Sequence, residues 1–304
     1  MTVSKNQNDL ASGEVRNILT FDVEEYFHAS AFEKVVTPDR WPQLESRVER
    51  NVEKILDLLE RYQVRATFFV LGWIGKHHPW VVKKIAALGH EVACHGYDHR
   101  LVYQMSPDDF RRQLSRSIDI LQELTGKKIL GFRAPSFSIN KDTLWAFEIL
   151  AEMGIRYDSS IFPIFHDRYG MPQTPREKFK IKTDQGAEII ELPVSSIRIL
   201  GQNLPFGGGG YFRLFPLWFT NWSLRRINQR GLPAVFYLHP WELDPEQPVL
   251  EIGCWERFRH YSNLKIVEKK LERLLRAFRF CSICEFLELK QSQSERIPAE
   301  KLAS

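Results

Sequence analysis

The reading of the fold turns on the stretch Glu91-Val92-Ala93-Cys94-His95-Gly96-Tyr97-Asp98-His99. Its first four residues form a short, largely apolar run, and Gly89 stands before it where the helical segment 79–88 should stop. A strand over 91–94 therefore follows a helix. A polar cluster with two histidines follows the strand at once, and Gly96 permits a tight exit. The same unit recurs upstream. A strand over 18–21 leads to a helix over 47–63, whose Val48, Val52, Ile55, Leu56 and Leu59 share one face, and then to a strand over 66–70 closed by Gly72. Downstream, Ser106, Pro107 and Asp109 open a helix as a capping box with proline at the first position. Phe110, Leu114, Ile118 and Leu121 mark its buried stripe and Gly126 its stop. Strands over 129–132 and 155–157 flank a helix over 140–153 ended by Gly154. Strand–helix alternation at about 30-residue spacing implies parallel strands with crossover helices.

Past residue 160 the rhythm blurs. Residues 161–182, rich in Pro, His and Arg, read as a long loop, and 188–192 alternates weakly as a strand. Four glycines, Gly207 to Gly210, precede an aromatic helix over 218–229. A strongly apolar strand over 234–238 follows, then an amphipathic helix over 263–278 with Leu264, Val267, Leu271, Leu274 and Phe278 inward, and a last strand over 280–283. The expected organisation is a disordered leader over 1–16, a barrel over 17–245 with a loop insertion at 161–215, a C-terminal extension over 246–290 packed on the barrel, and a tail over 291–304. No internal repeat is visible.

Composition excludes several classes. Of 304 residues, 43% are hydrophobic and 26% charged, which is ordinary globular usage and rules out disorder for most of the chain. A net charge of +4 is too balanced to argue for nucleic acid. No run reaches the ~18 apolar residues of a membrane span; the best, 214–224, is short and holds Pro216 and Asn221. Residues 1–17 lack the apolar core of a secretory signal. Cys94, Cys254, Cys281 and Cys284 are too few and scattered for a disulfide framework, so a reduced, cytoplasmic chain is expected.

Five polar clusters follow five strands. In Thr20-Phe21-Asp22-Val23-Glu24-Glu25, strand alternation puts Asp22 and Glu24 on one face. Two such carboxylates are costly together unless a cation or proton lies between them. His95 and His99, four apart, meet one metal if the segment turns helically, and Asp98 would orient one imidazole. Phe132-Arg133-Ala134-Pro135-Ser136 offers an arginine that keeps a carboxylate ionised. Tyr157-Asp158-Ser159-Ser160 comes just past a strand, and Tyr237-Leu238-His239-Pro240-Trp241-Glu242 supplies a natural proton donor in His239. Each has a bland alternative: a polar strand end, unrelated loop histidines, a strand-terminal ion pair, an ordinary turn, a capping histidine. Together they are stronger, because a parallel barrel gathers its strand ends around one mouth.

These motifs, in this order from Asp22 to His239, resemble the polysaccharide deacetylase family (NodB-homology carbohydrate esterases). Phe21-Asp22-Val23-Glu24 with Arg133-Ala134-Pro135-Ser136-Phe137-Ser138 resembles its exopolysaccharide- and exosortase-associated branch, in which a C-terminal extension follows. Gly208-Gly209-Gly210-Tyr211-Phe212-Arg213 and His239-Pro240-Trp241-Glu242 look like parts of that extension. The resemblance implies an α/β fold, a deformed (β/α) barrel; a divalent metal, with zinc expected; and hydrolysis of N-acetyl groups on an oligo- or polysaccharide. Carried over, Asp22 is the general base, Arg133 its support and His239 the general acid. His95 and His99 are metal ligands, and Glu24 is the third, since Glu25 should point away. The Ser136 N–H helps bind the oxyanion, and Pro135, Asp158, Arg168 and Trp241 join it as substrate-side residues. The chain departs from the family where Val23 follows Asp22, where Ser136 replaces an aromatic, and where Ile161 stands in the region of a tryptophan.

Peripheral association with membrane polysaccharide-assembly machinery is a further expectation, and nucleic acid is not expected as a partner. Other functional readings are a hydrolase of small cyclic amides on the same fold, a non-catalytic saccharide-binding module and, less compatibly with the α/β rhythm, an iron oxygenase. Cys281-x-x-Cys284 reads as two buried thiols, Gly207 to Gly210 as a loop, the basic segment 263–280 as a solvated helix face, and His166-Asp167-Arg168 as a sugar contact or a loop salt bridge.

Overall fold

Ile18, Leu19, Phe21 and Val23 are all fully buried, so the first strand has protein on both faces, as a central parallel strand requires. A computed structural model describes residues 15–166, 169–289 and 291. Among them are eleven strands: β1 (Arg16–Val23), β2 (Thr67–Val70), β3 (Glu91–Cys94), β4 (Gly131–Phe132), β5 (Tyr157–Asp158), β6 (Phe179–Lys182), β7 (Glu188–Glu191), β8 (Ser196–Ile199), β9 (Gln202–Pro205), β10 (Val235–Leu238) and β11 (Arg279–Cys281). The helices are α1 (Val48–Arg61), α2 (Gly72–His77), α3 (Pro79–Ala87), α4 (Pro107–Thr125), α5 (Ala146–Glu152), α6 (Gly209–Leu214), α7 (Leu217–Asn228), α8 (Cys254–Tyr261), α9 (Leu264–Ala277) and α10 (Ile283–Leu287).

The main sheet runs β10-β1-β2-β3-β4-β5-β7-β6, parallel throughout except for β6, which is antiparallel to β7. Between β7 and β10 the ring is closed by irregular backbone. Ser195 N donates to Val235 O (3.2 Å), Tyr237 N to Gly207 O (2.7 Å), and Val194 N to Ile161 O (3.2 Å). The barrel is therefore deformed on this side. Gly208, at φ +131°, lies so close to β10 that a Cβ would stand 1.7 Å from Tyr237 O, so only glycine fits. β11 pairs with the lower half of β1, Arg16 to Ile18, and adds a strand where β2 has not yet begun.

The base is tied by one buried carboxylate. Glu91 accepts from Thr67 Oγ1 (2.6 Å), from Cys284 N (2.8 Å) and from the Tyr157 hydroxyl, joining β2, β3, β5 and α10. The helices bury the apolar faces that their spacing prescribes. On α1 these are Val48, Val52, Ile55, Leu56 and Leu59, and on α4 Phe110, Leu114, Ile118 and Leu121. Each such side chain contributes about 1.5–3 kcal/mol of burial.

Several expectations need correction. Arg16 belongs to β1 rather than to a leader. The loop reading of 161–182 missed β6, whose Phe179 and Ile181 turn half inward while Lys180 and Lys182 face out. The helix expected over 140–153 is only Ala146–Glu152. Asn140 N donates to Thr143 Oγ1 and Asp142 N to Asn140 Oδ1, which holds the preceding residues in a side-chain-bonded turn. The hairpin β8–β9 and the short α6 had not been expected, and 280–283 splits into the end of β11 and the start of α10. The parts of the leader and tail beyond residues 15 and 291, with residue 290, lie outside the described residues, as do Asp167 and Arg168.

Candidate functional site

The carboxyl ends of β1, β3, β4 and β10 open into one cleft of about 290 Å³. Asp22, Glu24, His95, His99, Ser136, His239 and Trp241 all line it. Asp22 and Glu24 leave β1 on the same side, as alternation requires, while Val23 is fully buried in the apolar core. Glu25 turns away. Its carboxylate accepts from Arg47 N, Val48 N and the Ser46 hydroxyl, so it serves the start of α1.

Glu24, His95 and His99 each offer a ligand atom, and these atoms lie within 4.8 Å of one another. His95 Nδ1 lies 2.7 Å from Arg133 O; a carbonyl only accepts, so Nδ1 carries the proton and Nε2 keeps its lone pair. Burial pushes the His95 imidazolium down to about 4, leaving the ring neutral. His99 Nε2 stands 2.8 Å from Glu24 Oε2. Glu24 Oε2 is itself buried, with this imidazole nitrogen as its close polar contact. Burial disfavours the Glu24 carboxylate, but His99, His239 and His95 outweigh that and hold it well below the usual range. His99 adopts φ +60°, a left-handed conformation costing a non-glycine residue on the order of 1 kcal/mol. Two imidazoles and one buried, ionised carboxylate fit a divalent cation, and leave coordination positions for water or substrate.

Asp22 is held beside this cluster. Arg133 Nη1 donates to Asp22 Oδ1 (2.7 Å) and to Thr20 Oγ1 (2.8 Å), and its other donors reach Ser159 O and Ser159 Oγ. Arg133 is fully buried and its guanidinium lies 4.2 Å over the Phe69 ring. On the far wall His239 Nδ1 meets Glu242 Oε2 (3.1 Å), and Glu242 Oε1 accepts from Arg213 Nε (2.7 Å). Burial works against the His239 imidazolium; the bond to Glu242 and the charges of Glu24, Glu242 and Asp22 prevail and raise it to about 9. His239 therefore carries a proton to give, with its Nε2 3.8 Å from Glu24 Oε1.

Ser136 sits on the cleft wall at φ 50°, and Phe137 follows at φ 53°. Phe137 N and Ser138 N turn back to Ala134 O and Pro135 O; among the described residues no bond of this turn engages the Ser136 N–H. Two substrate-side assignments change, those of Asp158 and Pro135. Asp158 is fully buried outside the cleft, where it accepts from Ser160 N and Ser160 Oγ, and Ser160 Oγ in turn accepts from Ala134 N. Burial raises both its carboxyl and that of neighbouring Glu191, and the Ser160 bonds brace the Arg133–Ser136 loop. Pro135 is buried behind the wall, against Gly96. Trp241 lines the cleft, but its only polar atom is committed: Nε1 donates to Glu24 Oε1 (3.0 Å). Arg168 lies outside the described residues.

The sequence motifs contained Arg213 and Glu242 but gave them no role, and the cleft residues Glu33, Gln104, Glu256 and Arg259 carried no signal. Glu242 had a signal, its position three residues beyond His239 with Pro240 between, which is cap spacing. Arg213 had none, because its partners lie far off in the chain.

Fold and site define a class: a deformed parallel α/β barrel with a candidate two-histidine, one-carboxylate cation site at its carboxyl-end mouth. Residues 19–157 match the family model described as polysaccharide deacetylase, and residues 159–288 match one described as a domain of unknown function (DUF3473). That first segment is thus a polysaccharide deacetylase domain. Relatives include a peptidoglycan-N-acetylglucosamine deacetylase of Bacillus cereus, 35% identical over 132 residues (41% of this chain, 46% of the relative). A peptidoglycan deacetylase of Helicobacter pylori is 31% identical over 113 residues (37% and 38%). The chain thus spans less than half the length of these curated relatives. A crystal structure from Mycobacterium smegmatis, described as a polysaccharide deacetylase, superposes with TM-score 0.59 at 19% identity, over 94% of this chain and 96% of that one, and shows the shared fold.

Proposed function

We propose that this protein is a divalent-metal-dependent hydrolase that removes N-acetyl groups from amino sugars of a bacterial polysaccharide. The carrying observation is the convergence of Glu24, His95 and His99 beside the Arg133-bound Asp22 and the Glu242-bound His239. Glu24, His95 and His99 would hold the cation, zinc being the ion this donor set suits. When bound, such a cation polarises the acetamide carbonyl and makes water more acidic. Asp22 takes the proton of the attacking water, and Arg133 fixes its carboxyl group through the Nη1 bond. The Ser136 N–H faces the developing oxyanion. His239 donates its proton to the departing nitrogen as the C–N bond breaks, so that an amine and acetate leave.

An exopolysaccharide substrate is the finer reading, supported by the 159–288 segment that follows the deacetylase domain. Four free thiols, three of them buried, support work in a reducing compartment, the cytoplasm. No helix among the described residues is long and apolar enough to cross a membrane. Peripheral docking on a membrane is supported by exposed Trp218 and Trp222, one turn apart on α7, beside exposed Arg225 and Arg226. Sedimentation with anionic vesicles tests that part, and unaltered solubility in their presence counts against it. The activity is tested by acetate release from N-acetylhexosamine oligomers, with Asp22→Asn and His95→Ala as variants. Loss in both, with zinc lost chiefly from the histidine variant, is expected. Binding of the oligomer without acetate release would favour a saccharide-binding module, and turnover of cyclic amides alone would favour the other hydrolase reading.

A further inference from the structure

We infer that the segment 159–288 completes the metal centre, with Trp241 as the positioning residue that fixes the rotation of the Glu24 carboxylate. This rests on the cation site proposed above. The indole Nε1–H engages Glu24 Oε1 at 3.0 Å, which leaves the buried Oε2 turned toward His99, with Nε2 of that ring 2.8 Å away. A carboxylate tethered by one oxygen presents the other as a single ligand atom in a set direction. An untethered one must lose rotamer freedom on binding and is free to swing both oxygens toward the ion.

The indole cannot itself drift. It lies between two imidazoles, His239 at 5.0 Å and 21° and His260 at 4.3 Å and 18°. Its backbone oxygen accepts from Gln247 Nε2 (2.8 Å), and Gln247 Oε1 lies 2.8 Å from His260 Nε2. Arg213 locks the assembly from α6. It donates to Glu242, to His260 O and Ser262 O through Nη1, and to Arg259 O through Nη2, gathering the end of α8 onto the turn that carries Trp241. All these groups belong to the segment matched by the domain of unknown function. They act as outer-shell partners, a class whose loss typically weakens metal affinity about 10- to 100-fold.

Zinc dissociation constants of the full chain, by competition with a chromogenic chelator, test this. Trp241→Phe keeps the ring and removes the N–H. The expected result is at least a ~10-fold weaker zinc affinity, with thermal unfolding in excess chelator within a few degrees of wild type. Trp241→His, which restores a ring N–H, should recover part of the affinity, and the visible absorption of the Co²⁺-loaded Trp241→Phe protein should shift as the ligand field relaxes. A folded Trp241→Phe protein with wild-type zinc affinity and an unchanged Co²⁺ spectrum overturns the inference. If that variant does not fold, the wild type decides: a tryptophan indole N–H signal must move in a ¹H–¹⁵N spectrum as zinc binds one to one, and no movement overturns it. A wild type that binds no zinc removes the cation site itself, a different failure seen before any variant is compared.

Discussion

Among single residues, the Asp22–Arg133 pair shows how charge is made tolerable inside a barrel. Arg133 is fully buried, yet Asp22, Thr20 and Ser159 take donors from both its terminal nitrogens and from Nε. Removing one partner of such a pair strands the other, at a cost of about 3–5 kcal/mol. Arg133→Met should therefore lower unfolding stability by that order in urea titrations and abolish acetate release. A stability change under 1 kcal/mol would show that the pair is not what holds the β1 and β4 ends together. Asp22→Asn keeps shape and hydrogen bonding but not the base, so its acetate release should fall at least ~100-fold while unfolding shifts far less than in Arg133→Met. That Asp22 and Glu24 share a face, and that His95 and His99 come together, was legible because strand alternation and a four-residue spacing are local. Trp241 was not: its partner Glu24 lies 217 residues away, and nothing within Pro240-Trp241-Glu242 says where the indole N–H will land.

Secondary-structure elements were legible where their ends carried their own chemistry. Ser106 accepts from Asp109 N (3.1 Å), and Gly126 closes α4 at φ 67°, as the sequence indicates. Ser106→Ala should cost about 1 kcal/mol in equilibrium unfolding, with acetate release unchanged because α4 lies outside the cleft lining; an unchanged midpoint would mean that this end is held by packing alone. Elements built on long-range pairing were legible in place but not in extent. β4 and β5 fall at the expected strands over 129–132 and 155–157 but have only two residues each, paired to β3 and β7 at their flanks. Residues 140–145 have helix-compatible spacing, but side-chain bonds at Asn140 and Thr143 offer the backbone a competing turn. The short α6 was hidden in the four glycines, of which Gly208 and Gly209 are required by their approach to Tyr237 rather than by flexibility.

Across the whole molecule, the two family segments are interleaved parts of one barrel. β10, from the second, pairs along Ile18–Phe21 of β1, β11 pairs along Arg16–Ile18, and the proposed general acid His239 follows β10. Their shared interior buries many titratable groups, which gives folding a pH signature. Burial pushes His90 and His95 down to about 4 and His260 to about 3, and holds His28 well below its ordinary value. The folded state therefore excludes protons that the unfolded chain takes up below pH ~6.5, so stability falls as pH drops from there toward about 4. Each buried imidazole contributes on the order of 1 kcal/mol to this loss by pH ~5. His239 has the opposite sign. Raised to about 9, it stabilises the fold fully below pH ~6.5, and that contribution fades as pH climbs through 9. For protein kept in excess chelator, the unfolding temperature should peak near neutrality, drop steeply on the acid side and decline more gently above pH 8. A His90→Gln variant, whose ring stands away from the cleft between Ala66 N and Phe68, should flatten only the acid limb. An acid limb as steep in that variant as in wild type would mean that protonation of His90 does not contribute to unfolding in acid.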